Sequence, residues 1–549
     1  MAGRRAADPV QRPRPLRPGP HPGARGGELR RPRHRFERNR TTPSAHVLRS
    51  RVMTGVGRLL AARAAGDPGG VAFIDGASGR RLRWCDLAAH TARWEALARG
   101  TGLEPRRRIA LVVEDPLTFA AGYLGCLAAG LTVVPLDPRG TTDELALATA
   151  RLRADILATG EEGSTSGELA LWTVATDGPR EVRPSPPGAR AGDAVALRPA
   201  ALLASSGTTG DPKGVPLSER LLLDGARRVV GHHRLSPAER GYTPLPLFHV
   251  NAQVVGLLAT LVGGGSLVVD ARFDRDAYWD RVAAWRPTWL NAVPAVLGAL
   301  VEASAPPAPV VEGIRFARSA SAPLPPALLE RFQRHTGVSV LETYGMTEVA
   351  GQIAANPLDA ATRRPGSVGL PVGVDLEVAT PDGLPVASGE LGSVRLRGDA
   401  VVTHYLELTT SGPERLRPAR DAGGWLTTGD LGRVDDAGFL HLAGREDDVI
   451  NRGGEKFHPQ EVERVLLDHP AVSAAAVVGA PHPRLGQVAV AFVTVRGHVP
   501  DALAGELAGM CAERLARYKR PVEIRITPAL PLGPTGKVRR RELRAALAA

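Results

Sequence analysis

The stretch RIALVVEDPLTFAAGYLGCLAAGLTVVPLDP, residues 108–138, decides the fold. An apolar run (IALVV), a longer apolar stretch opening on Asp-Pro, and a second apolar run (LTVVPL) follow one another with hardly a polar residue. Strands buried on both faces read as continuous hydrophobic runs, so a helix between two of them makes a βαβ crossover. The pattern recurs outward from this unit: ALLAS at 201–205, SLVVD at 266–270, TWLNAV at 288–293 and VSVLETYG at 338–345. Helical stretches fall between them, for example at 277–284 and 324–335. Such alternation predicts an α/β fold with helices on both faces of mostly parallel sheets. From about 366 to 444 short alternating runs separated by turn pairs (PDG, DAG) predict a β-rich subdomain. The last hundred residues predict a small α+β domain: a helix at 459–469, strands near 472–479 and 488–495, a helix at 501–517, then the strand VEIRIT. The expected division is a tail at 1–52, a large N-terminal domain at 53–446 and a small mobile C-terminal domain at 447–549.

A chain of 549 residues with 43% apolar and 23% charged residues has ample material for large cores. Cys85, Cys126 and Cys511 are too few and too scattered for a disulfide framework or a zinc site, which points to a reducing, cytoplasmic location. No apolar run approaches the roughly 18 residues of a membrane span. The net charge of +12 suggests a polyanion partner, but its placement argues otherwise. Residues 1–52 hold 14 Arg against Asp8, Glu28 and Glu37, so nearly all of the excess belongs to that tail. No nucleic acid is expected on the folded core. The tail is rich in Pro and Gly and cannot bury enough surface to fold, while Met53 opens an ordinary domain start. The expectation is a disordered tail, with Met53 a candidate native first residue.

Of 69 basic residues only four are lysine: Lys213, Lys456, Lys519 and Lys537. A compact, rotatable ammonium is not interchangeable with a planar guanidinium, so these survivors mark candidate sites. Lys213 closes the run Ser205-Ser206-Gly207-Thr208-Thr209-Gly210-Asp211-Pro212-Lys213-Gly214, directly after an apolar strand. Its glycines let backbone N–H groups turn inward as an anion nest, and its hydroxyls add donors. That equipment suits a polyphosphate. The spacing is not that of the usual P-loop.

The chain resembles the acyl-adenylate-forming superfamily, which includes acyl-CoA synthetases, luciferases and peptide-synthetase adenylation domains. The motifs that carry the resemblance appear in family order: SSGTTGDPKG (205–214), PLFHV (246–250), SASAP (319–323), ETYGMTE (342–348), TTGD (427–430), GREDDVINRGGEKF (444–457) and PTGK (534–537). The resemblance implies two half-reactions. A carboxylate attacks the α-phosphate of ATP, giving acyl-AMP and pyrophosphate; a thiol, expected to be that of CoA, then displaces AMP. It assigns nucleotide binding to Ser205, Ser206, Gly207, Thr208, Thr209, Gly210, Lys213, Ser321, Glu342, Thr343, Tyr344, Gly345 and Met346. Tyr344 would face adenine, Thr347 would donate to phosphate, and Glu348 with Thr208 would hold Mg²⁺. Asp430 would accept both ribose hydroxyls, with Arg445 reaching ribose or phosphate. Lys537 would bridge the acyl carboxylate and the α-phosphate, Asp447 would be the hinge, and Gly453, Gly454 and Lys456 would meet CoA.

The acyl group is less legible. His249 stands where the family places an aromatic gate, or is a packed loop histidine. Near it no Asp is present to hold an α-amine, which disfavours amino acids. The segment from RSASAP to SVGLPVG is similar to the oxalate- and small-carboxylate-CoA ligase branch. Arg318 and Asn251 either pair with a second carboxylate, or Arg318 is a structural ion-pair partner; the apolar run 254–262 could line an aliphatic pocket. The acceptor is CoA or, alternatively, the phosphopantetheine of an acyl or peptidyl carrier protein.

Overall fold

In the computed structural model the described residues are 53–101, 103–160, 170–183, 199–206, 212–410, 414–497, 499, 502–533 and 537–548. The N-terminal tail, the loop positions 207–211 and residues 534–536 lie outside them.

The deciding stretch folds as its pattern predicts. Asp115 caps the helix Pro116–Ala128 by accepting the N–H of Thr118 at 2.8 Å, and Pro116 occupies a position where no N–H is needed. Every residue of this helix is buried. Gly125 lets the helix Trp84–Gly100 come close, since a Cβ there would lie 2.3 Å from Trp94 Cδ1. The flanking strands Arg108–Val112 and Thr132–Pro135 pair in parallel.

Two nine-stranded sheets form the large part of the chain. In one, the strands Val340–Met346, Phe316–Ser319, Trp289–Ala292, Arg240–Thr243, Ser266–Val269 and Val71–Asp75 run parallel, with antiparallel strands at its edges. In the other, Ala201–Ser206 continues the parallel series begun at residue 108 and then turns back as Pro212–Leu217. Four antiparallel strands, Asp375–Ala379, Gly392–Arg397, Leu426–Val434 and Leu440–Arg445, make the β-rich part. The last hundred residues build a five-stranded sheet with the helices Pro459–Leu467, Leu503–Arg514 and Arg540–Ala548. The main core ends at Leu440, and separate apolar clusters begin at Ile450.

Between those cores runs the short turn Glu446–Asp448. Glu446 accepts the hydroxyl of Ser393 on the β-rich side. Asp448 is held by Arg544 at 2.7 Å and by Arg540, both on the final helix. Asp447, between the two anchors, is exposed.

The run 251–262 departs from an ordinary amphipathic helix. Asn251–Leu258 is a π-helix that passes into Ala259–Gly263, and Val254, Val255, Leu257 and Leu258 are fully buried in the main core. Among the described residues no helix is long and apolar enough to cross a membrane, and all three cysteines are free.

Candidate active site

The motif residues follow the C-terminal ends of the parallel strands, where open α/β sheets place their ligands. Arg240–Thr243 leads into PLFHV, Phe316–Ser319 into the turn at Ser321, and Val340–Met346 into the turn Thr347–Val349.

On one side lies an acid held by three groups. Asp430 and Arg445 face each other across the antiparallel pair Leu426–Val434 and Leu440–Arg445, and Arg445 Nη1 donates to Asp430 Oδ1 at 2.8 Å. The Tyr344 hydroxyl donates to Asp430 Oδ2, and the Asp430 N–H to the Thr428 hydroxyl at 3.0 Å. Burial, with the Asp430 charge beside it, drives the Tyr344 pKa up, so the phenol keeps its proton.

Next to it is a second acid, Glu348, 4% exposed. Its Oε1 receives the Lys213 ammonium at 3.1 Å and the Tyr405 hydroxyl at 3.1 Å, while Lys213 also lies 3.7 Å over the Tyr405 ring. Strand pairing explains the meeting, because Pro212–Leu217 carries Lys213 opposite Glu407, two residues from Tyr405. Glu348 commits one oxygen to both partners, which leaves Oε2 for a hard cation. The described residues contain no cluster of three His, Cys, Asp or Glu. An ion at Glu348 would therefore take its remaining oxygens from substrate, water or the loop outside the described residues, an arrangement suited to Mg²⁺.

Lys537 comes from the other end of the chain. A turn closed by the Gly533 N–H on the Lys537 carbonyl, 2.7 Å, and the Arg539 N–H on the Pro531 carbonyl, 2.8 Å, presents it. The residue remains exposed, yet the protein around its ammonium costs it enough water to lower the pKa. Asp430 and Glu348 push the pKa up and Arg445 pushes it down. Lys537 thus lies within electrostatic reach of both acids. Its field also reaches His249, whose pKa falls to about 4, chiefly through burial, with Asp137 opposing and Lys537 and Arg139 assisting. His249 is neutral at pH 7, its Nε2 has no partner, and its ring lies 4.3 Å from that of Phe248.

A polar cluster lies beneath the turn at Ser321. Arg318 Nη1 donates to the amide oxygens of Asn251 and Asn291, each at 3.0 Å, and Asn251 Nδ2 donates to the Ser321 hydroxyl at 3.3 Å. Asn291 also reaches Thr243 at 3.3 Å. Ser321 adopts φ +72°, in the region that disfavours a side chain.

The remaining expected residues are placed as follows. Ser205 and Ser206 end their strand, while Gly207, Thr208, Thr209 and Gly210 lie outside the described residues. Glu342 is 6% exposed, its Oε2 is without a partner, and burial raises its pKa to about 8 against the single N–H of Leu324. Thr343 donates to the Ser319 carbonyl at 3.4 Å. Gly345 passes so close to the next strand that a Cβ would lie 2.1 Å from the Gly351 carbonyl, and Met346 packs on the main core. Thr347 begins the turn that carries Glu348. Gly453 and Gly454 form the tip of the hairpin Ile450–Arg452 and Glu455–Phe457, with Lys456 exposed beside them. No hydrogen bond or ion pair among the described residues links that hairpin to Asp430, Glu348 or Lys537. Lys519, one of the four lysines marked as candidate sites, is instead structural: it pairs with Glu461. Tyr405 was not foreseen, because it acts through strand pairing across distant segments rather than through a local motif; Thr428 stands inside the TTGD motif and meets Asp430 two residues on, a local contact.

Comparison with known proteins identifies the family. Residues 60–406 match the family described as AMP-binding enzyme, and residues 461–537 match its C-terminal domain. The chain is 36% identical over 501 residues to the sulfoacetate–CoA ligase of Cupriavidus necator, covering 88% of this chain and 96% of that one. It is 32% identical over 464 residues to an oxalate–CoA ligase of Arabidopsis thaliana, covering 81% and 89%. Among solved structures, ATP-bound MatB from Rhodopseudomonas palustris superposes with a TM-score of 0.78 at 28% identity, covering 89% and 98%.

Proposed function

The chain belongs to the AMP-binding enzyme family, and from that premise we propose how its residues divide one reaction among them. It is an AMP-forming acyl-CoA ligase, which uses ATP and CoA to convert a carboxylic acid into its thioester. One carboxylate oxygen of the acid attacks the α-phosphorus, the bond to pyrophosphate breaks, and acyl-AMP forms. The CoA sulfur then attacks the acyl carbon, its proton passes to solvent, and AMP leaves.

The observation that carries the division of labour is the placement of Lys537 within reach of Asp430, Glu348 and His249. Negative charge accumulates on the α-phosphate oxygens during attack. A preplaced ammonium there favours the transition state over bound substrate. Asp430, fixed by Arg445, Tyr344 and Thr428, holds the ribose, and Tyr344 lines the adenine side. Glu348 would hold Mg²⁺ together with Thr208, and Lys213 leaves Glu348 for the phosphates once nucleotide is present. Magnesium, when bound, would neutralise charge on the β- and γ-phosphates. His249, neutral and partly buried, gates the path from acyl group to thiol. Asp447 is the hinge about which residues 447–549 turn against 53–446, bringing the Gly453–Gly454 tip and Lys456 to CoA. The cytoplasm supplies both cosubstrates. The relatives named for sulfoacetate and oxalate support a short acid, as does the use of the apolar 254–258 run within the core.

ATP–pyrophosphate exchange across a panel of carboxylic acids, followed by product mass spectra with CoA, tests this reading. A short acid should support exchange and yield its CoA thioester. Exchange without thioester, followed by acylation of a carrier protein, would replace CoA with a phosphopantetheine acceptor.

A further inference from the structure

Three arginines are buried among the described residues: Arg108, Arg318 and Arg395. Arg108 is paired with Glu414, and Arg395 with Glu377 and Asp421. Arg318, the most buried at 2% exposure, has no carboxylate at all. Its two Nη1 hydrogens go to uncharged amide oxygens, and its Nε is buried without a partner. The titratable groups that feel it from the packed helix Glu219–His233, His232 and His233, are kept neutral by burial and by Arg318 itself, and Arg315 and Arg363 add positive field there. A guanidinium cannot give up its proton at working pH, so an unpaired buried one carries a standing desolvation cost. Folded proteins tolerate that cost where a ligand removes it.

The position of the cation says where such a ligand enters. Arg318 lies on Phe316–Ser319, three residues before Ser321 of the SASAP turn. Asn251, two residues after His249, spans the gap by accepting from Arg318 and donating to Ser321. Asn251 and Ser321 are only partly buried while Arg318 is 2% exposed, so the cluster is closed at the arginine end and accessible at the Asn251–Ser321 end.

Resting on the ligase reading above, we propose that Arg318 is a specificity-determining residue that binds, with Asn251 and Ser321, a second oxyanion on the acid, so that the substrate is a short acid with two anionic heads. One head is the carboxylate adenylated near Lys537; the other, a carboxylate or a sulfonate, replaces amide oxygens as the counter-ion of Arg318. A buried charge pair of this kind discriminates strongly, because a one-headed acid leaves the cation unpaired.

Pyrophosphate exchange with the full chain tests it, using oxalate, malonate and sulfoacetate against acetate and propionate. The two-headed acids should exceed their one-headed counterparts in kcat/KM by about a hundredfold or more. Comparing malonate with sulfoacetate tells which oxyanion is preferred. Arg318→Met should lower the two-headed acids at least tenfold more than acetate, and Arg318→Lys should restore part of the difference. Asn251→Asp supplies a resident carboxylate, so it should raise the melting temperature while erasing the preference. A wild-type enzyme that uses acetate or propionate as well as the two-headed acids would overturn the proposal, whether or not Arg318→Met folds. Equal losses for both classes in Arg318→Met would do the same. Exchange with none of these five acids but with a longer or aromatic acid would also overturn the proposal, whereas no exchange with any carboxylic acid would bring down the ligase reading itself.

Discussion

Lys537 feels the charge of two carboxylates, Asp430 and Glu348, and of one guanidinium, Arg445, so its removal changes the charge balance at one point only. Lys537→Ala should slow ATP–pyrophosphate exchange by about a hundredfold or more, while supplied acyl-AMP is still converted to thioester. Equal loss of both half-reactions would refute the division. Glu342 gives a second test at this scale. Its carboxyl titrates near 8 when folded against 4.5 as the ordinary value, so the unfolded chain releases its proton first as pH rises. Stability is therefore undiminished below about pH 4.5 and drains away between 4.5 and 8, by up to about 1.4 kcal/mol per pH unit. Glu342→Gln should flatten that slope and raise the melting temperature more at pH 8 than at pH 5. A pH-independent effect of the substitution would exclude a buried, unpaired acid. Tyr344, Glu348, Asp430 and Lys537 were legible as residues because each stands in a short motif. Their mutual contacts were not, since charge pairing between distant motifs leaves no trace in local spacing.

At the scale of elements, the buried strands were the most legible part. The runs at 201–205, 266–270 and 288–293 are strands within a residue or two of their expected ends, because burial on both faces leaves only apolar residues there. The strand at 338–345 proves to be Val340–Met346, and the helix expected at 501–517 is Leu503–Arg514. The π-helix Asn251–Leu258 was hidden for the opposite reason. A nearly uninterrupted apolar run shows no period, so a turn widened by one residue cannot be told from an ordinary one. The contact of the helices Trp84–Gly100 and Pro116–Ala128 makes a separate prediction. Gly125→Ala would drive a methyl into the Trp94 ring, and calorimetry should record a loss of about 1–3 kcal/mol despite the better helix propensity of alanine. A gain in stability would mean that the two helices separate easily.

For the whole molecule, the question is what holds the C-terminal part where Lys537 reaches the acids. Glu302, at the end of the helix Pro294–Val301, is shared by Arg331 at 3.0 Å and by Arg496 of the C-terminal sheet at 2.7 Å. Desolvation works against ionisation of Glu302, and the two guanidinia overcome it, holding its pKa below the ordinary value. The pairs are partly exposed, so their worth is about 1 kcal/mol or less. Glu302→Ala should shift the balance away from the adenylating arrangement by up to about fivefold. The readout is a lower exchange rate relative to thioester formation, with the difference vanishing in 1 M salt. A salt-independent effect would assign Glu302 another role.

The turn Glu446–Asp448 has one more implication. Each neighbour of Asp447 is tied to a different half of the protein, Glu446 to Ser393 and Asp448 to Arg540 and Arg544. Any swing must then pass through the backbone torsions of a single residue, as a door turns on one pin. Neither half has to loosen for the other to travel. Proline at that pin would leave the door in place and unable to swing: Asp447→Pro should keep pyrophosphate exchange and lose thioester formation.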